Sequence, residues 1–179
     1  MWQFFGGTVN VKHLSVLFVG DDAFDTDEGY QGKGQFLFVM IGNDGNHGTE
    51  MDSKTDGNKN SLPRSHPAFF NMLIVAGGAG SKGPSDAVMR LREGTGGKFG
   101  NIILANLGGV HKGVEIKDCG SETRTQTLPA ASVSLGVSGD PASTGYLYFS
   151  SNNIIAGASQ TIRMDCAGKA RTATTLPSA

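Results

Sequence analysis

The sequence has little charge and no long apolar run. Only 17% of its 179 residues are charged and its formal net charge is −1. This balance gives no broad electrostatic basis for binding nucleic acid or an anionic membrane surface. No apolar run approaches the roughly 18 residues that a membrane-spanning helix requires, so we predict no membrane span. With 38% hydrophobic residues, however, the chain is too apolar to be intrinsically disordered.

Motifs for common catalytic and metal centres are also missing. The only two cysteines, Cys119 and Cys166, fit no metal-binding spacing, so we favour two free thiols, with a disulfide as the alternative. The four histidines form no His-x-x-x-His or His-x-His pair, which argues against zinc. The chain contains no Gly-x-Ser-x-Gly, Walker A or dinucleotide-binding fingerprint. No segment keeps a helical period over about 11 residues or more, so βαβ crossovers are not expected.

Glycine, in contrast, is abundant, at 27 of 179 residues, about twice its usual share. A block that contains an aromatic residue, then Asn, then aliphatics and glycine recurs at 69–78, 99–109 and 148–157. Asn71 and Asn101 occupy equivalent positions in the first two copies, at a spacing typical of solenoids. We predict an all-β parallel β-helix with short coils and protruding loops, in which Asn forms corners and bonds from coil to coil. An antiparallel sandwich or jelly roll is the alternative.

We predict one β-helix domain over residues 1–166 and a flexible tail over 167–179. Strands are predicted over 8–19, 35–41, the Asn blocks, 87–92 and 113–118. Between them we expect an acidic turn over 20–29, a long polar loop over 42–66 and an insertion over 121–145. The apolar opening at Trp2, Phe4 and Phe5 predicts that an N-terminal portion precedes Met1. No signal peptide is recognisable.

Several segments resemble those of a known family. Residues 5–10 read Phe-Gly-Gly-Thr-Val-Asn, and 21–36 read Asp-Asp-Ala-Phe-Asp-Thr-Asp-Glu-Gly-Tyr-Gln-Gly-Lys-Gly-Gln-Phe. With residues 63–67, Asn71 and residues 91–97, they are similar to landmarks of secreted, mostly uncharacterised proteins of marine Bacteroidetes, often labelled lipoproteins or sorting-domain proteins. The resemblance covers roughly 2–118. It implies a right-handed parallel β-helix exported to the cell envelope or beyond, a missing N-terminal portion and no particular activity.

The acidic turn is the best candidate metal site. It places five carboxylates within eight residues: Asp21, Asp22, Asp25, Asp27 and Glu28. Calcium takes about six to eight oxygen ligands, so it is the candidate cofactor. In the alternative reading these side chains bond backbone amides or face water. A second, weaker candidate for calcium comprises Glu50, Asp52, Asp56, Asn58 and Asn60, with a merely solvated loop as the alternative.

Three basic residues, Lys33, Arg90 and Arg92, are weak catalytic candidates. Some polysaccharide lyases built on β-helices abstract a proton with Arg or Lys, which requires a lowered pKa. Arg90 and Arg92 lie two apart and would share one strand face, although a solvated face is the commoner reason for such a pair. Six aromatic residues are candidates either for sugar stacking or for core stacking: Trp2, Phe4, Phe5, Tyr30, Tyr146 and Tyr148.

The function we expect is therefore a non-catalytic one. The chain is read as an exported β-helix with a structural, adhesive or glycan-binding role, stabilised by calcium and partnered by a polysaccharide or cell-surface glycan. The alternative is a carbohydrate-active enzyme, a lyase or a hydrolase, on the same scaffold. Fold cannot separate the two, because function depends on the site.

Overall fold

The computed structural model describes residues 1–54, 59–77, 87–109, 111–119, 124–128, 146–150 and 152–165. These residues form thirteen strands and no helix. The strands are β1 (Trp2–Phe5), β2 (Val11–Leu17), β3 (Phe24–Asp27), β4 (Lys33–Met40), β5 (Thr49–Met51), β6 (Ala68–Val75), β7 (Ala87–Leu91), β8 (Gly97–Ala105), β9 (Lys112–Lys117), β10 (Arg124–Leu128), β11 (Tyr146–Ser150), β12 (Ile154–Ile155) and β13 (Gln160–Asp165).

The strands belong to two sheets, and every pairing between them is parallel. Sheet A has the order β1-β3-β5-β7-β9-β13, and sheet B has the order β10-β11-β8-β6-β4-β2, with β12 beside the far half of β8. Over β1 to β9 the chain alternates between the sheets, so each coil contributes one strand to each. This is the predicted parallel β-helix. Right-handed winding is the hand of nearly all parallel crossover connections.

The long strands of sheet B bend at one equivalent position in each coil. His13, Phe36, Asn71 and Asn101 occupy this column, and all four have left-handed backbones, with φ between 52° and 58°. Asn71 and Asn101 confirm the predicted Asn corner, because the Asn101 side chain donates a 3.0 Å hydrogen bond to Asn71 Oδ1. In the two earlier coils the His13 and Phe36 rings stack at 5.2 Å instead. The column is therefore continuous, with ring stacking in the earlier coils and an Asn–Asn hydrogen bond in the later ones.

The third copy of the repeat uses its asparagine differently. Asn153 is buried, and its side-chain oxygen accepts a 2.9 Å bond from the Ile102 amide while its nitrogen donates to Phe99 O at 3.0 Å. Asn153 thus replaces backbone pairing at the place where β11 ends and β12 begins.

The core lies between the sheets and consists of inward columns of apolar side chains. Phe99 and Phe149, from neighbouring coils, stack at 5.4 Å, and Phe24 meets Phe69 edge to face at 6.1 Å. All four rings are almost completely buried. Burying one such side chain contributes about 1.5–3 kcal/mol.

The turns that lead from sheet A to sheet B stack on one another. Ser65 joins three of them, because its hydroxyl accepts from the Gly29 amide and its carbonyl accepts from the Gly96 amide. Buried Arg64 donates from Nη1 to Lys59 O at 2.6 Å and to Gly94 O at 2.7 Å. The segments 63–67 and 91–97 that carry the family resemblance are therefore contacting turns of adjacent coils.

Three predicted connections prove to contain strands. The acidic turn over 20–29 includes β3, the polar loop over 42–66 includes β5, and the insertion predicted over 121–145 includes β10. The sequence signal of β3 and β5 is weak because their outward residues are acidic and their inward positions include Thr26 and Thr49. In β10, with the sequence Arg-Thr-Gln-Thr-Leu, only Leu128 is apolar. The strand predicted over 87–92 is confirmed by β7.

The favoured prediction of free thiols is wrong, since Cys119 is disulfide-bonded. The parallel pairing of β9 with β13 sets Lys117 beside Asp165, and Cys119 and Cys166 follow these ends by two residues and one residue in the sequence. Cys166, residues 56–58, most of the predicted insertion and the whole tail lie outside the described residues.

Candidate functional site

The outer face of sheet A carries a continuous column of polar side chains. Successive residues of a strand point to opposite faces, so the residues that alternate with the buried Phe24, Thr26 and Met51 point outward. One residue from each strand occupies the same register position. This column, called the charged column below, consists of Gln3, Asp25, Glu50, Arg90, Glu115 and Arg163.

A second outward column lies two residues further along each strand. Asp27 ends β3, and Asp52 directly follows β5, with its amide bonded to Thr26 O. Arg92 directly follows β7, with its amide bonded to Met51 O. The Arg92 Nε atom lies 2.9 and 2.7 Å from the two oxygens of Asp52. Both predicted arginines thus share one face with members of both predicted acidic sets.

At the arginine end of the charged column the charges are paired. Arg90 Nε lies 3.1 Å from Glu115 Oε2, and Arg90 Nη1 lies 3.6 Å from Glu50 Oε1. Glu115 also faces Lys112 at 3.7 Å and Arg163 at 3.8 Å. Alternating charges on adjacent strands stabilise the pairing of the strands.

At the other end the carboxylates crowd together. Asp25 is 9% exposed and accepts a 2.6 Å bond from Gln3 Nε2. Burial, together with the negative charges of Glu50, Asp22 and Asp27, raises the pKa of Asp25 to about 7. Burial also raises the pKa of Asp27, although its Oδ1 accepts the Glu28 amide at 2.7 Å. Asp25 is therefore a carboxyl group that changes charge near neutral pH.

Asp22, His47 and the half-buried Glu50 form a compact group. His47 Nδ1 lies 2.6 Å from Asp22 Oδ1 and 3.9 Å from Glu50 Oε1, and the Asp22 oxygen also accepts the His47 amide. Burial raises the pKa of Asp22, but the bonds from His47 outweigh it, so the net shift is downward. One ligand atom from each residue lies within 4.8 Å of the others, a geometry able to hold a metal ion.

The surroundings of Glu50 oppose a dication at that group. Arg92 Nη2 lies 3.2 Å from Glu50 Oε2, and Arg90 lies on its other oxygen. Two guanidinium groups already neutralise this carboxylate and would repel a second cation at short range. Burial and the charge of Asp22 nevertheless raise the pKa of Glu50.

The five carboxylates predicted to bind calcium do not converge on one point. Asp21 is exposed, Asp22 faces His47, Asp25 and Asp27 point outward from β3, and Glu28 pairs with Lys54. In the second predicted set, Glu50 and Asp52 join the sheet A face. Asn60 lies apart in a turn, 3.5 Å from Arg64 Nη2, and Asp56 and Asn58 lie outside the described residues.

The basic catalytic candidates separate in the same way. Arg90 and Arg92 lie on sheet A, whereas Lys33 begins β4 on sheet B. Burial lowers the pKa of Arg92, but Asp52 and Glu50 outweigh this effect and raise it. A general base needs a lowered pKa, so Arg92 is unsuited to proton abstraction.

The predicted aromatic platform does not form one surface. Phe4 and Tyr30 stack at 4.8 Å, with Tyr30 fully buried, as the core-stacking alternative expects. Trp2 and Phe5 are exposed on β1, and Tyr148 is buried on the other sheet. The side chain of Tyr146 lies outside the described part of the structure.

His47 is the residue of this site that sequence reasoning missed. It has no histidine partner in sequence, which is why it attracted no prediction. The available signal was a repeated spacing of 25 residues, which separates Asp22 from His47 and Arg90 from Glu115. Such a spacing between charged residues places them side by side in adjacent coils.

Comparison with protein families identifies the class. Residues 2–167 match the pectate-lyase-like beta helix domain, and the chain belongs to this family. Comparisons with curated proteins and with solved structures give no match. No helix among the described residues is long and apolar enough to cross a membrane.

Proposed function

We propose that this chain is a non-catalytic, glycan-binding β-helix of an exported protein, and that the outer face of sheet A contacts the glycan. The single observation that carries the proposal is the charged column. It offers carboxylate acceptors and guanidinium donors at the spacing of adjacent strands, about 4.8 Å. A polysaccharide lying along the axis of the β-helix would meet one such group per coil.

The ion pairs formed by the arginines support binding rather than catalysis. Arg92 is held by two bonds to Asp52, and Arg90 pairs with Glu115 and Glu50. Planar guanidinium groups fixed by carboxylates still present N–H donors to a ligand, and Arg92 and Arg163 keep 28% and 40% of their side-chain surface exposed. They are therefore suited to hydrogen bonding with sugar hydroxyls.

Export is supported by the disulfide of Cys119 and by the resemblance to secreted Bacteroidetes proteins. Disulfides persist in oxidising compartments, such as the periplasm and the cell exterior. The family description, pectate-lyase-like, agrees with a carbohydrate partner and does not specify one.

Binding is tested by retention on a panel of immobilised neutral and acidic polysaccharides. Glu50→Gln removes the central charge of the charged column while keeping its shape, and Asp44→Asn removes an exposed carboxylate elsewhere. We expect at least one polysaccharide to retain the wild type and Asp44→Asn, with Glu50→Gln bound roughly tenfold more weakly, the effect of one charge-assisted hydrogen bond. No retention by any polymer, or equal retention of both variants, would refute the proposal.

Calcium is proposed as a stabilising ion at the Asp25–Asp27 end, where burial and neighbouring negative charges raise the pKa of both carboxyls. A bound dication relieves this repulsion and stabilises the folded state by mass action. We expect millimolar calcium to raise the melting temperature and a chelator to lower it, with Asp25→Asn insensitive to both. A melting temperature unchanged by calcium and chelator contradicts this part.

The second candidate is a carbohydrate-active enzyme, favoured by one observation. Asp25 has a pKa of about 7 and stands next to Glu50 in the charged column, and glycoside hydrolysis uses a protonated carboxyl beside a second carboxylate. Release of reducing or unsaturated ends from the retained polymer, abolished by Asp25→Asn, would establish this function and displace the binding proposal.

A further inference from the structure

None of the strands that the structure describes in sheet B contains an acidic residue. These strands carry Lys12, Lys33, Lys98 and Arg124 but neither Asp nor Glu. In sheet A, by contrast, β3, β5, β9 and β13 each contain at least one carboxylate. The net charge of −1 therefore averages two faces of unlike charge. A basic face attracts an anionic surface even when the net charge of the whole chain is close to zero.

Beyond the column of left-handed residues at which its strands bend, the outer face of sheet B is almost wholly apolar. The residues that alternate with buried Val16, Val39, Ile74 and Leu104 point outward. They form two register columns across the strands β2, β4, β6, β8 and β12. The columns, together called the apolar face below, are Ser15, Phe38, Leu73, Ile103 and Ile154, followed by Leu17, Met40, Val75 and Ala105.

The apolar face is open to solvent. Ile103 is 40% exposed, and Leu17 and Ile154 are exposed as well. Phe18, which directly follows β2, is 66% exposed, and Phe36 is exposed where β4 bends. Adjacent strands are about 4.8 Å apart, so the face extends for about 19 Å across its strands. A contiguous exposed apolar surface marks a site of interaction with another protein or with a membrane.

We propose that the apolar face and two lysines beside it, Lys12 and Lys33, bind the surface of an anionic lipid bilayer. The apolar side chains enter the boundary between headgroups and acyl chains, and the ammonium groups contact lipid phosphates. Lys12 and Lys33 precede the bend by one and three residues in their strands, and both are exposed. Their long apolar stems allow the charged groups to reach the headgroups.

The chemistry of the apolar face favours a lipid surface over a protein partner. Ser15 supplies its one hydroxyl, and no member of the face is charged. The backbone groups of β4 and β6 are used in pairing with strands on both sides. A protein interface carries about one hydrogen bond per 100–200 Å², which requires polar groups that this face does not offer. Acyl chains require no directional partner.

The lysines distinguish a bilayer from a second copy of the chain. Two copies related by a two-fold axis would bring the same surface together, and the strands of sheet B contain no carboxylate to neutralise Lys12 and Lys33. The nearest acidic residues in sequence, Asp21 and Asp44, lie in turns that lead towards sheet A. Anionic headgroups supply the missing negative charge.

This site is independent of the function proposed above. The charged column lies on sheet A and the apolar face on sheet B, so Glu50→Gln should leave binding to vesicles unchanged. Loss of polymer retention and loss of vesicle binding are therefore separate results.

Flotation of the full chain with lipid vesicles at physiological ionic strength tests the proposal. Vesicles of equal parts phosphatidylglycerol and phosphatidylcholine should bind the protein, and vesicles of phosphatidylcholine alone should bind it several-fold more weakly. Lys12→Gln and Lys33→Gln should each weaken binding about fivefold, the contribution of one lysine near an anionic surface. Lys117→Gln removes the same charge from sheet A and should change binding less than about twofold, because salt screens charges away from the surface.

A second pair of variants tests the apolar contribution. Ile103→Thr keeps a β-branched side chain in the apolar face and replaces apolar atoms by a hydroxyl. It should weaken vesicle binding several-fold, because less apolar surface leaves water. Val9→Thr makes the matching change at an exposed residue that precedes β2 and should leave binding unchanged.

A tryptophan on this side of the molecule reports insertion. The only tryptophan, Trp2, lies in β1 of sheet A. In the double variant Trp2→Phe, Phe18→Trp, lipids brominated on their acyl chains should quench the fluorescence. The same lipids should leave the fluorescence of the wild type unquenched.

Three results would overturn the proposal. They are the absence of binding to anionic vesicles, an equal effect of Lys117→Gln and Lys33→Gln, and quenching of the wild type but not of the double variant. A dimer that Ile103→Thr dissociates, without vesicle binding, would assign the apolar face to a second copy instead. Lys12 and Lys33 are exposed, so their variants keep the test decisive if Ile103→Thr fails to fold.

Discussion

Individual carboxyl groups on sheet A combine burial with like-charge neighbours. Asp25 and Glu50 stand side by side in register, and directly opposed like charges destabilise strand pairing. Burial and the charge of Glu50 together raise the pKa of Asp25 to about 7, and protonation of Asp25 then removes the repulsion. The charge of this face therefore depends on protonation as well as on ion pairing.

Asp25→Asn tests whether protonation of Asp25 stabilises the fold. A raised pKa means that the folded chain holds the proton more tightly than the unfolded chain. The resulting stabilisation is complete below the ordinary pKa of aspartate and is lost as the pH rises through about 7. Asn cannot ionise, yet its oxygen still accepts the bond from Gln3. Between about pH 5 and pH 8.5, urea unfolding should show the wild type losing on the order of 2 kcal/mol relative to the variant. Parallel pH profiles would contradict the assignment.

The Asn corner permits a second test at the residue scale. Asn101 has a left-handed backbone and donates to Asn71. Asn101→Ala loses both the residue type that tolerates this conformation and the hydrogen bond, at a cost of about 2 kcal/mol. Asn101→Gly loses only the bond and should cost about half as much. Asn152→Ala, at an exposed position, is the control for denaturant unfolding. No loss in Asn101→Ala would show that the column does not stabilise the fold.

At the level of elements, the sequence predicts strands well where the apolar pattern is strong. The central strands of sheet B are predicted correctly, because β4, β6 and β8 carry apolar residues at most positions. The strands of sheet A are shorter and acidic on their outer face, so β3 and β5 resembled a turn and a loop. Coil lengths also vary, with 22 residues from Gln3 to Asp25 and 30 from Asn71 to Asn101.

The same variation explains how much of the site was predictable. Residue type alone identifies four candidates: Asp22, Asp25, Arg90 and Arg92. Their position on one face depends on pairing between coils of unequal length. No fixed period in the sequence gives that register. His47 could be recognised only from the strand pairing, because its partner Asp22 lies in the neighbouring coil.

The stacked turns give a prediction for the connecting elements. Buried Arg64 holds the carbonyls of Lys59 and Gly94, and thereby joins turns of adjacent coils. Arg64→Met leaves these carbonyls without their donor, and we expect a loss of about 2–4 kcal/mol in the free energy of unfolding. Lys59→Met removes an exposed ion pair with Asp118 and should cost less than about 1 kcal/mol. Equal losses in the two variants would count against the role of Arg64.

For the whole molecule, stability accumulates coil by coil. Each coil contacts mainly its neighbours, as in other solenoids, and the disulfide of Cys119 constrains the chain just beyond β9. Net charge is close to zero, yet the charges on sheet A are uneven, with ion pairs around Arg90 and crowded carboxylates around Asp25.

The disulfide supplies the prediction at this scale. Cys119→Ser removes a cross-link that limits the unfolded chain, at a cost of about 2–4 kcal/mol. Reduction of the wild type should lower its melting temperature to a similar extent and leave that of the variant unchanged. A wild type whose melting temperature does not respond to a reductant would contradict the contribution of this bond.

The central claim, that the sheet A face binds a glycan without cleaving it, is tested most directly by hydrogen–deuterium exchange with a retained oligosaccharide, whose mass is measured before and after. The account predicts slower exchange in peptides that cover β3, β5 and β7, together with an unchanged saccharide mass. Protection confined to other strands, or a saccharide recovered in pieces, would contradict it.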